Sequence, residues 1–203
     1  FINGQEWGLQ AGPDASYGAN SSDQWGGDHF VKLAPLWQLQ LYYHIAGEGN
    51  TWYKPYFWAE IFEKVRNTNE TGLSDGTLQV NFVKNACDAV QQDLTGFFKA
   101  IGMLTEIDKV IGDYTVARLT ITSSMIDEAV QYGSKYPAPA HDFRYISVNS
   151  INAFKYRLPV SGTYNTGVSG SDTKTILHTT WKNVVGFETY SGNTLIQITM
   201  PGT

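Results

Sequence analysis

One segment of the 203-residue sequence limits the possible folds more than any other, and it reads HFVKLAPLWQLQLYYHIAG over residues 29–47. Its apolar residues recur at helical spacing and cover nearly every side of the predicted helix. Such a helix is stable only when other elements surround it. Gly47 closes the helix, and Pro35 should lie in its first turn or kink it. The segment therefore predicts the central helix of a helical core. Its apolar positions are Phe30, Leu33, Leu36, Trp37, Leu41 and Ile45.

Four more helices are predicted downstream from their apolar spacing and start signals. Lys54 and Pro55 should open the second helix, and Asp75 should cap the third. Asp93 should cap a short fourth helix that stops at Gly102. The last helix should follow the capping-box pair Ser124 and Asp127 and run to about Tyr132. We expect Trp37, Leu41, Phe82 and Phe98 to share one core, because each lies on the apolar stripe of a predicted helix.

Extended structure is predicted at residues 114–122 and becomes dominant beyond residue 142. Phe154, Tyr156 and Leu158 alternate with charged residues, which is the period of a strand. Residues 176–181, 184–190 and 194–200 are also strand-like, and residues 191–193 should join the last two as a hairpin. The sequence therefore predicts an α+β fold, a mainly helical subdomain followed by a small antiparallel β-domain. The expected divisions are a Gly-rich loop at 1–28, the helical subdomain at 29–140 and the β-domain at 141–203.

Composition excludes two classes of partner. The net charge is −5 and Lys and Arg form no cluster, so nucleic acid is not an expected partner. No apolar run reaches the roughly 18 to 20 residues that span a bilayer. Aromatic residues make up 14% and charged residues only 16% of the chain, which suits an extracellular protein that touches sugars. A large aromatic core would give the same composition. The start at Phe1, without Met or signal peptide, is interpreted as a cut in a longer protein.

Catalytic and metal-binding motifs are missing from the sequence. No histidine begins an HExxH motif, and no G-x-S-x-G nucleophile elbow occurs. Cys87 is predicted to be a small buried residue because it lies among apolar neighbours. Two carboxylate pairs leave a glycosidase open, Asp23 with Asp28 and Glu60 with Glu63, although helix-face pairs are usually just solvated. We assign no catalytic residue and no metal ligand within the chain.

Three features leave a choice between structural and functional interpretations. His44 is interpreted as a core histidine because its helix is strongly apolar. His141, beside Asp142, is expected in a surface loop, although the pair could bind a ligand. A group of aromatic residues should lie half in the core and half at the entry of a helix, and the alternative is a stacking platform for a sugar or peptide. Its members are Trp52, Tyr53, Tyr56, Phe57 and Trp58.

Three stretches of the chain, in order, resemble one family. The first is the central segment, with its WQLQLY run at residues 37–42. The others are QVNFVKNACDAVQQDLTGFFKAIGML at residues 79–104 and WKNVVGFETY at residues 181–190. Together they resemble the enhancin-like, mucin-degrading zinc metallopeptidases. The matches cover most of the chain, although no single stretch is diagnostic.

The resemblance implies that the zinc site lies upstream of Phe1. In this family an HExxH helix and a downstream glutamate hold zinc, and the glutamate within the motif acts as general base. The present chain would be the carboxy-terminal part, supplying the far wall of the cleft and a β-domain, with the missing amino-terminal half as its partner. The resemblance further implies a bacterial protein at the cell surface or outside the cell. O-glycosylated proteins such as mucins would be its substrates.

The opening loop is the predicted substrate-facing segment, at Asp23, Trp25, Asp28 and His29. It would join the zinc-bearing half to the central helix, and its glycines would allow close approach to a ligand. A truncated stub without function is the alternative. Two other functions remain open for the chain as a whole, a non-enzymatic glycan- or mucin-binding surface protein and an inactive homologue that serves as a scaffold.

Overall fold

The structure, a computed structural model, describes residues 29–112, 116–162 and 181–199. It confirms the predicted α+β class, because helices form the centre and the strands pair as two-stranded antiparallel sheets. The helices are α1 (His29–Leu39), a π-helical segment (Gln40–Ala46), α2 (Phe57–Asn67), α3 (Asp75–Val90), α4 (Thr95–Ala100), α5 (Ser123–Gly133) and α6 (Ile151–Lys155). The strands are β1 (Ile107–Gly112), β2 (Val116–Ile121), β3 (Ser161–Gly162), β4 (Trp181–Lys182), β5 (Phe187–Ser191) and β6 (Thr194–Thr199).

The predicted central helix exists, but it changes type halfway along. Pro35 lies inside α1, in its second turn rather than its first. From Gln40 the helix continues as a π-helix, in which each hydrogen bond spans one residue more than in an α-helix. The wider turn shifts the face on which later residues lie. Trp37 was therefore wrongly predicted to be core: it is 51% exposed, whereas Leu41 is 1% exposed.

The starts of three helices differ from the predicted ones. Helix α2 begins at Phe57, two residues after Pro55. Ser74, not Asp75, caps α3, since the Ser74 hydroxyl accepts a hydrogen bond from the Thr77 backbone amide. Thr122, not Ser124, caps α5 in the same way. In each case the helix starts within a few residues of its predicted position. A neighbouring residue provides the cap of α3 and α5, whereas α2 has no side-chain cap.

Leu94, not Asp93, holds the cap position of α4, and no side-chain capping bond is present there. The Asp93 carboxylate, one residue earlier, accepts hydrogen bonds from the Thr95 amide and hydroxyl at 2.9 and 2.6 Å. Gly102 follows the helix with a φ of +82°, a conformation that glycine adopts without strain. The predicted stop at Gly102 is therefore confirmed, whereas the helix starts one residue beyond the predicted cap.

A single aromatic core holds the helices together. Helix α3 packs against α2, α5 and strand β2, and the π-helical segment packs against α6. Phe98 is fully buried and Phe82 packs against the core from a partly buried position, as predicted. Gly76, at the start of α3, lies so close to the Thr120 carbonyl oxygen that any side chain would overlap it. The largest fully buried side chains are Tyr42, Tyr43, Phe57, Phe98 and Phe143.

Three predicted strands are confirmed and one is wrong. β2 lies within the predicted residues 114–122, and β5 pairs with β6 through a turn at Gly192. The partner of β2, strand β1, was not predicted. Residues 154–158 are not a strand: Phe154 belongs to α6 and is buried, whereas Tyr156 and Leu158 are exposed. Spacing of three residues from Ile151 to Phe154 also fits a helix, and core packing favours that alternative.

The predicted strand at residues 176–181 lies outside the described residues except for Trp181, which pairs with Gly162. The predicted domain division after residue 140 stays a prediction. Within the described ranges, no helix is long and apolar enough to cross a membrane.

Candidate functional site

The π-helical segment places Tyr42 at the centre of a group of rings. Tyr42 is 0% exposed and lies between Trp52 and Phe143, with its ring stacked at centroid distances of 5.6 and 4.3 Å. Its hydroxyl lies 3.0 Å from Nδ1 of His141. Burial raises the pKa of the Tyr42 phenol well above its usual range, so the phenol stays protonated. Tyr42 therefore fixes the orientation of the His141 ring from within the core.

His141 is half-buried rather than fully on the surface, and aromatic rings surround it. The Trp52 ring meets the imidazole at 4.8 Å and an angle of 66°, and Phe154 approaches at 6.2 Å. Burial, followed by the nearby positive charge of Arg157, lowers the pKa of His141. The imidazole is consequently neutral at neutral pH. It is packed like a structural residue but retains hydrogen-bonding capacity.

Asp142, next in sequence, belongs to a polar network that joins the helical part to β5. Arg144 binds the Asp142 carboxylate with two of its nitrogens and lies 3.3 Å from Glu188. Tyr145 and Tyr190 also donate hydrogen bonds to Glu188. Burial alone would raise the pKa of Asp142, but hydrogen bonds and charge from Arg144 lower it. Asp142 is thus ionised and paired, which makes it unsuited to act as a general acid at neutral pH.

Two cavities flank the His141–Asp142 pair, each with a volume of about 360 Å³. This is within the size range of small-molecule sites. The first, between α4 and the segment before α6, is lined by Asp93, Gly96, Phe97, Ala100, Ala138, Pro139, Phe143 and Arg144 together with the pair. The second, between α6 and the β4–β5 connection, is lined by Ala153, Phe154, Arg157, Leu158, Pro159, Val160, Asn183 and Val185 together with the pair.

A third cavity, of about 480 Å³, lies on the face of α1. Trp37 and Leu33, which are 51% and 53% exposed, line it together with Trp58. Its walls are almost entirely apolar, and Gln40 is the polar residue among them. The cavity offers contact area but no group that could carry out chemistry.

The predicted substrate-facing residues Asp23, Trp25 and Asp28 lie outside the described residues. His29 is the first residue of α1, and its side chain is likewise outside what the structure describes. Their role at a cleft stays a prediction.

The remaining sequence candidates have structural surroundings. Glu60 and Glu63 are exposed on α2, where Glu63 pairs with Arg66, so the solvated interpretation is confirmed. Cys87 is fully buried, and burial raises the pKa of its thiol to about 11, which excludes a thiolate nucleophile. His44 is not a core residue: it is half-buried, and its Nδ1 lies 2.9 Å from Nε2 of Gln40.

The aromatic residues at positions 52–58 divide as the structural interpretation predicted. Trp52 and Phe57 are buried at 4% and 1% exposure, while Tyr56 is 73% exposed. The indole nitrogen of Trp52 is buried and has no hydrogen-bond partner among the described residues.

The described residues do not fit a zinc site. Zinc in a peptidase needs three protein ligands of the His, Asp, Glu or Cys type. No group of three such side chains lies together in the ranges that the structure describes. His44 and His141 instead pair with Gln40 and Tyr42. No step of a metal mechanism can be derived from these residues.

Sequence reasoning missed Arg157 and Asn183, which line the second cavity, and the buried Tyr42, which bonds to His141. Tyr42 and His141 are 99 positions apart, so no local pattern links them. Arg157 and Asn183 have left-handed backbone conformations, with φ of 53° and 60°. Neither residue type signals such a conformation strongly from sequence, although Asn adopts it more often than most.

The fold is similar to part of two solved metallopeptidases. A solved metallopeptidase in complex with Tn antigen matches 91% of this chain at a TM-score of 0.67 and 23% identity. A metallopeptidase from Bacteroides thetaiotaomicron matches 91% of the chain at the same TM-score and 24% identity. At these identities the likeness is one of fold. The chain spans 40% and 36% of the lengths of these two proteins.

The family follows from the sequence itself. The model of peptidase M60, enhancin and enhancin-like, matches residues 2–102. Residues 2–102 belong to this family, which confirms the resemblance to enhancin-like proteins, while the stretch at residues 181–190 lies outside the matched residues. The search of curated proteins gave no match.

Proposed function

We propose that this chain is the cleft-wall part of a secreted bacterial zinc metallopeptidase that cleaves O-glycosylated proteins. One observation carries the proposal: residues 2–102 match the M60 family, yet the whole sequence lacks an HExxH motif. The zinc-binding half is then a preceding part of the same protein. The helical part of this chain, built on the aromatic core and the π-helical segment, would form a wall of the cleft.

Zinc would supply the chemistry from the other half. A zinc ion with three protein ligands and one open position activates water and polarises the scissile carbonyl. The described residues supply no such ligand set, so their contribution is to bind and orient the substrate. The opening loop, with Trp25 and Asp28, would extend from the metal site to α1.

The substrate class is inferred from two sources. One solved metallopeptidase of the same fold is in complex with Tn antigen, a glycan. The chain itself carries few charges and several exposed aromatic residues, among them Trp37, Tyr56 and Tyr190. Aromatic faces and neutral polar groups suit sugars, so we infer an O-glycosylated protein such as a mucin, met outside the cell or at its surface.

A non-enzymatic glycan-binding role is the second candidate. The observation in its favour is the exposed pair Leu33 and Trp37, which lines an apolar cavity beside Trp58. If the preceding part of the protein has lost its zinc ligands, these surfaces would bind glycans without cleavage.

The test is cleavage by the complete gene product. The complete gene product is incubated with three substrates: a mucin-type glycoprotein, its enzymatically deglycosylated form and an unglycosylated peptide of the same sequence. Each incubation is done with and without a zinc chelator, and fragments are identified by mass spectrometry. We expect cleavage of the glycosylated form alone, abolished by the chelator and restored by zinc. Binding without cleavage would favour the second candidate. Equal cleavage of all three substrates would overturn the glycoprotein assignment.

A further inference from the structure

We propose that the second cavity, between α6 and the β4–β5 connection, binds the carboxylate of an acidic sugar, with Arg157 as the residue that pairs with it. The choice of a sugar rests on the proposed function, whereas the carboxylate follows from the geometry of the cavity. The residues that carry the argument are His141, Asp142, Phe154, Arg157, Asn183 and Val185.

The backbone of Arg157 is the first observation. Arg157 follows the end of α6 with a φ of 53°, in the left-handed region. Its amide bonds to the Phe154 carbonyl oxygen, and the Leu158 amide bonds to that of Ala153. Glycine normally occupies this position after a helix, and another residue costs about 1 to 2 kcal/mol. An arginine kept at such a cost suggests that its side chain has a use.

The surroundings of the Arg157 guanidinium are the second observation. It lies 5.3 Å from the centre of the Trp52 ring, and Nη2 donates to Oδ1 of Asn50 at 3.2 Å. Within the described parts of the chain, no carboxylate pairs with it. Each of the other three arginines, Arg66, Arg118 and Arg144, holds a carboxylate.

The guanidinium of Arg157 is thus oriented by neutral partners but not neutralised. An arginine has five N–H donors, and one of them is used by Asn50. The remaining donors are suited to the two oxygens of a carboxylate, which arginine binds with two parallel hydrogen bonds.

The other walls of the cavity define the rest of the ligand. Asp142 does not oppose an anion strongly, because Arg144 pairs with it. The Asn183 amide donates to the Pro159 carbonyl oxygen at 2.9 Å, which leaves the amide oxygen of Asn183 as an acceptor. His141 adds a neutral imidazole, and Phe154 and Val185 add apolar area. A positive charge beside neutral hydrogen-bonding groups and apolar walls fits a compact, hydroxylated carboxylate, which is the chemistry of an acidic sugar.

Binding of matched probes to the 203-residue chain tests the proposal. Galacturonate, galactose and glutarate differ in whether they carry a carboxylate, a sugar ring or both, and amide chemical shifts measured by NMR report binding and its location. We expect galacturonate to bind with a Kd of about 1 mM and to shift the Asn183 side-chain signals. Galactose should bind at least about tenfold more weakly, because a charge-assisted hydrogen bond is lost.

Any of three results would overturn the proposal. If galactose bound as tightly as galacturonate, or if neither bound at the cavity, the role of Arg157 would be refuted. If glutarate bound as tightly as galacturonate, the assignment of a sugar would be refuted. This assay measures binding and not proteolysis. A negative binding result would therefore leave the proposed peptidase function unaffected, and a lack of cleavage by the complete gene product would leave the binding result unaffected.

Two variants separate binding from folding. Arg157→Gly removes the guanidinium at a position where glycine is the preferred residue, so the chain should fold with unchanged or higher stability. Its galacturonate binding should fall about tenfold or more. The control is Gln91→Gly. Gln91 also has a left-handed backbone conformation, with a φ of 57°, but it follows α3 and does not line this cavity. Undiminished binding by Arg157→Gly would contradict the proposal.

Discussion

Asp88 is the residue whose replacement tests the packing of the helices most sharply. It lies on α3 with a side chain that is 12% exposed. Oδ2 accepts hydrogen bonds from Lys64 of α2 at 2.9 Å and from Tyr132 of α5 at 2.8 Å. Oδ1 is contacted by Tyr136 at 2.8 Å and by Lys135 at 3.1 Å. One carboxylate therefore connects α2, α3, α5 and the segment after α5, and Asp88→Asn removes its charge without changing its size.

The expected loss of stability follows from the pKa of this carboxylate. Burial alone would raise the pKa of Asp88, but hydrogen bonds from Lys64, Tyr136, Tyr132 and Lys135 lower it from 3.8 to about 2. At 1.36 kcal/mol per pKa unit, this lowering corresponds to a contribution of roughly 2.4 kcal/mol at most to the free energy of unfolding. Lys64 and Lys135 are 41% and 44% exposed, so solvent screens their contribution. We therefore expect Asp88→Asn to lower the free energy of unfolding by about 1 to 2 kcal/mol.

The sign of the pH dependence is fixed, because the pKa of Asp88 is lower in the folded than in the unfolded protein. Its contribution is complete above pH 4 and is lost as the pH falls through about 2. Urea unfolding at pH 7 and at a series of acidic pH values should show the two proteins differing at pH 7 and converging between about pH 4 and 2.

The control for Asp88→Asn is Asp127→Asn, which removes an exposed carboxylate from α5. Its urea midpoint should match that of the unchanged protein within error. The reasoning is refuted if Asp88→Asn has the midpoint of the unchanged protein at pH 7. It is also refuted if the difference between the two proteins persists below pH 2.

Two further predictions concern the core and the opening loop. Phe98→Ala should lower the free energy of unfolding by about 3 to 5 kcal/mol because Phe98 is fully buried, whereas Trp37→Ala should change the unfolding midpoint little. Equal losses of stability in thermal unfolding would contradict the exposed position of Trp37. Replacement of Trp25 and Asp28 by Ala in the complete gene product should raise KM or lower kcat for a glycoprotein while the melting temperature stays within about 4 °C. Unchanged kinetics in the folded variant would remove the loop from the cleft.

Local signals in the sequence predicted most of the helices. Apolar spacing identified α2 to α5 because each has one face on a shared core, and Gly102 marked an end that the structure confirms. The π-helical segment could not be predicted, since periodicity analysis assumes one turn length throughout. That assumption is why Trp37 was assigned to the same buried face as Leu41.

The short elements and the second cavity required tertiary information. Residues 151–158 fit both a helical and an alternating pattern, and burial of Phe154 against the π-helical segment decides between them. The site around His141 depends on Tyr42, Trp52 and Arg157, which only the folded chain brings together. Asp142 and His141 were visible as a candidate pair, but their partners were not.

Zinc content tests most directly the proposal that this chain is part of a zinc peptidase but does not itself hold the metal. Purified 203-residue chain and the complete gene product are each dialysed against buffered zinc and measured by elemental mass spectrometry. We expect one zinc per molecule in the complete product and no stoichiometric zinc in the 203-residue chain. One tightly bound zinc in the 203-residue chain would contradict it.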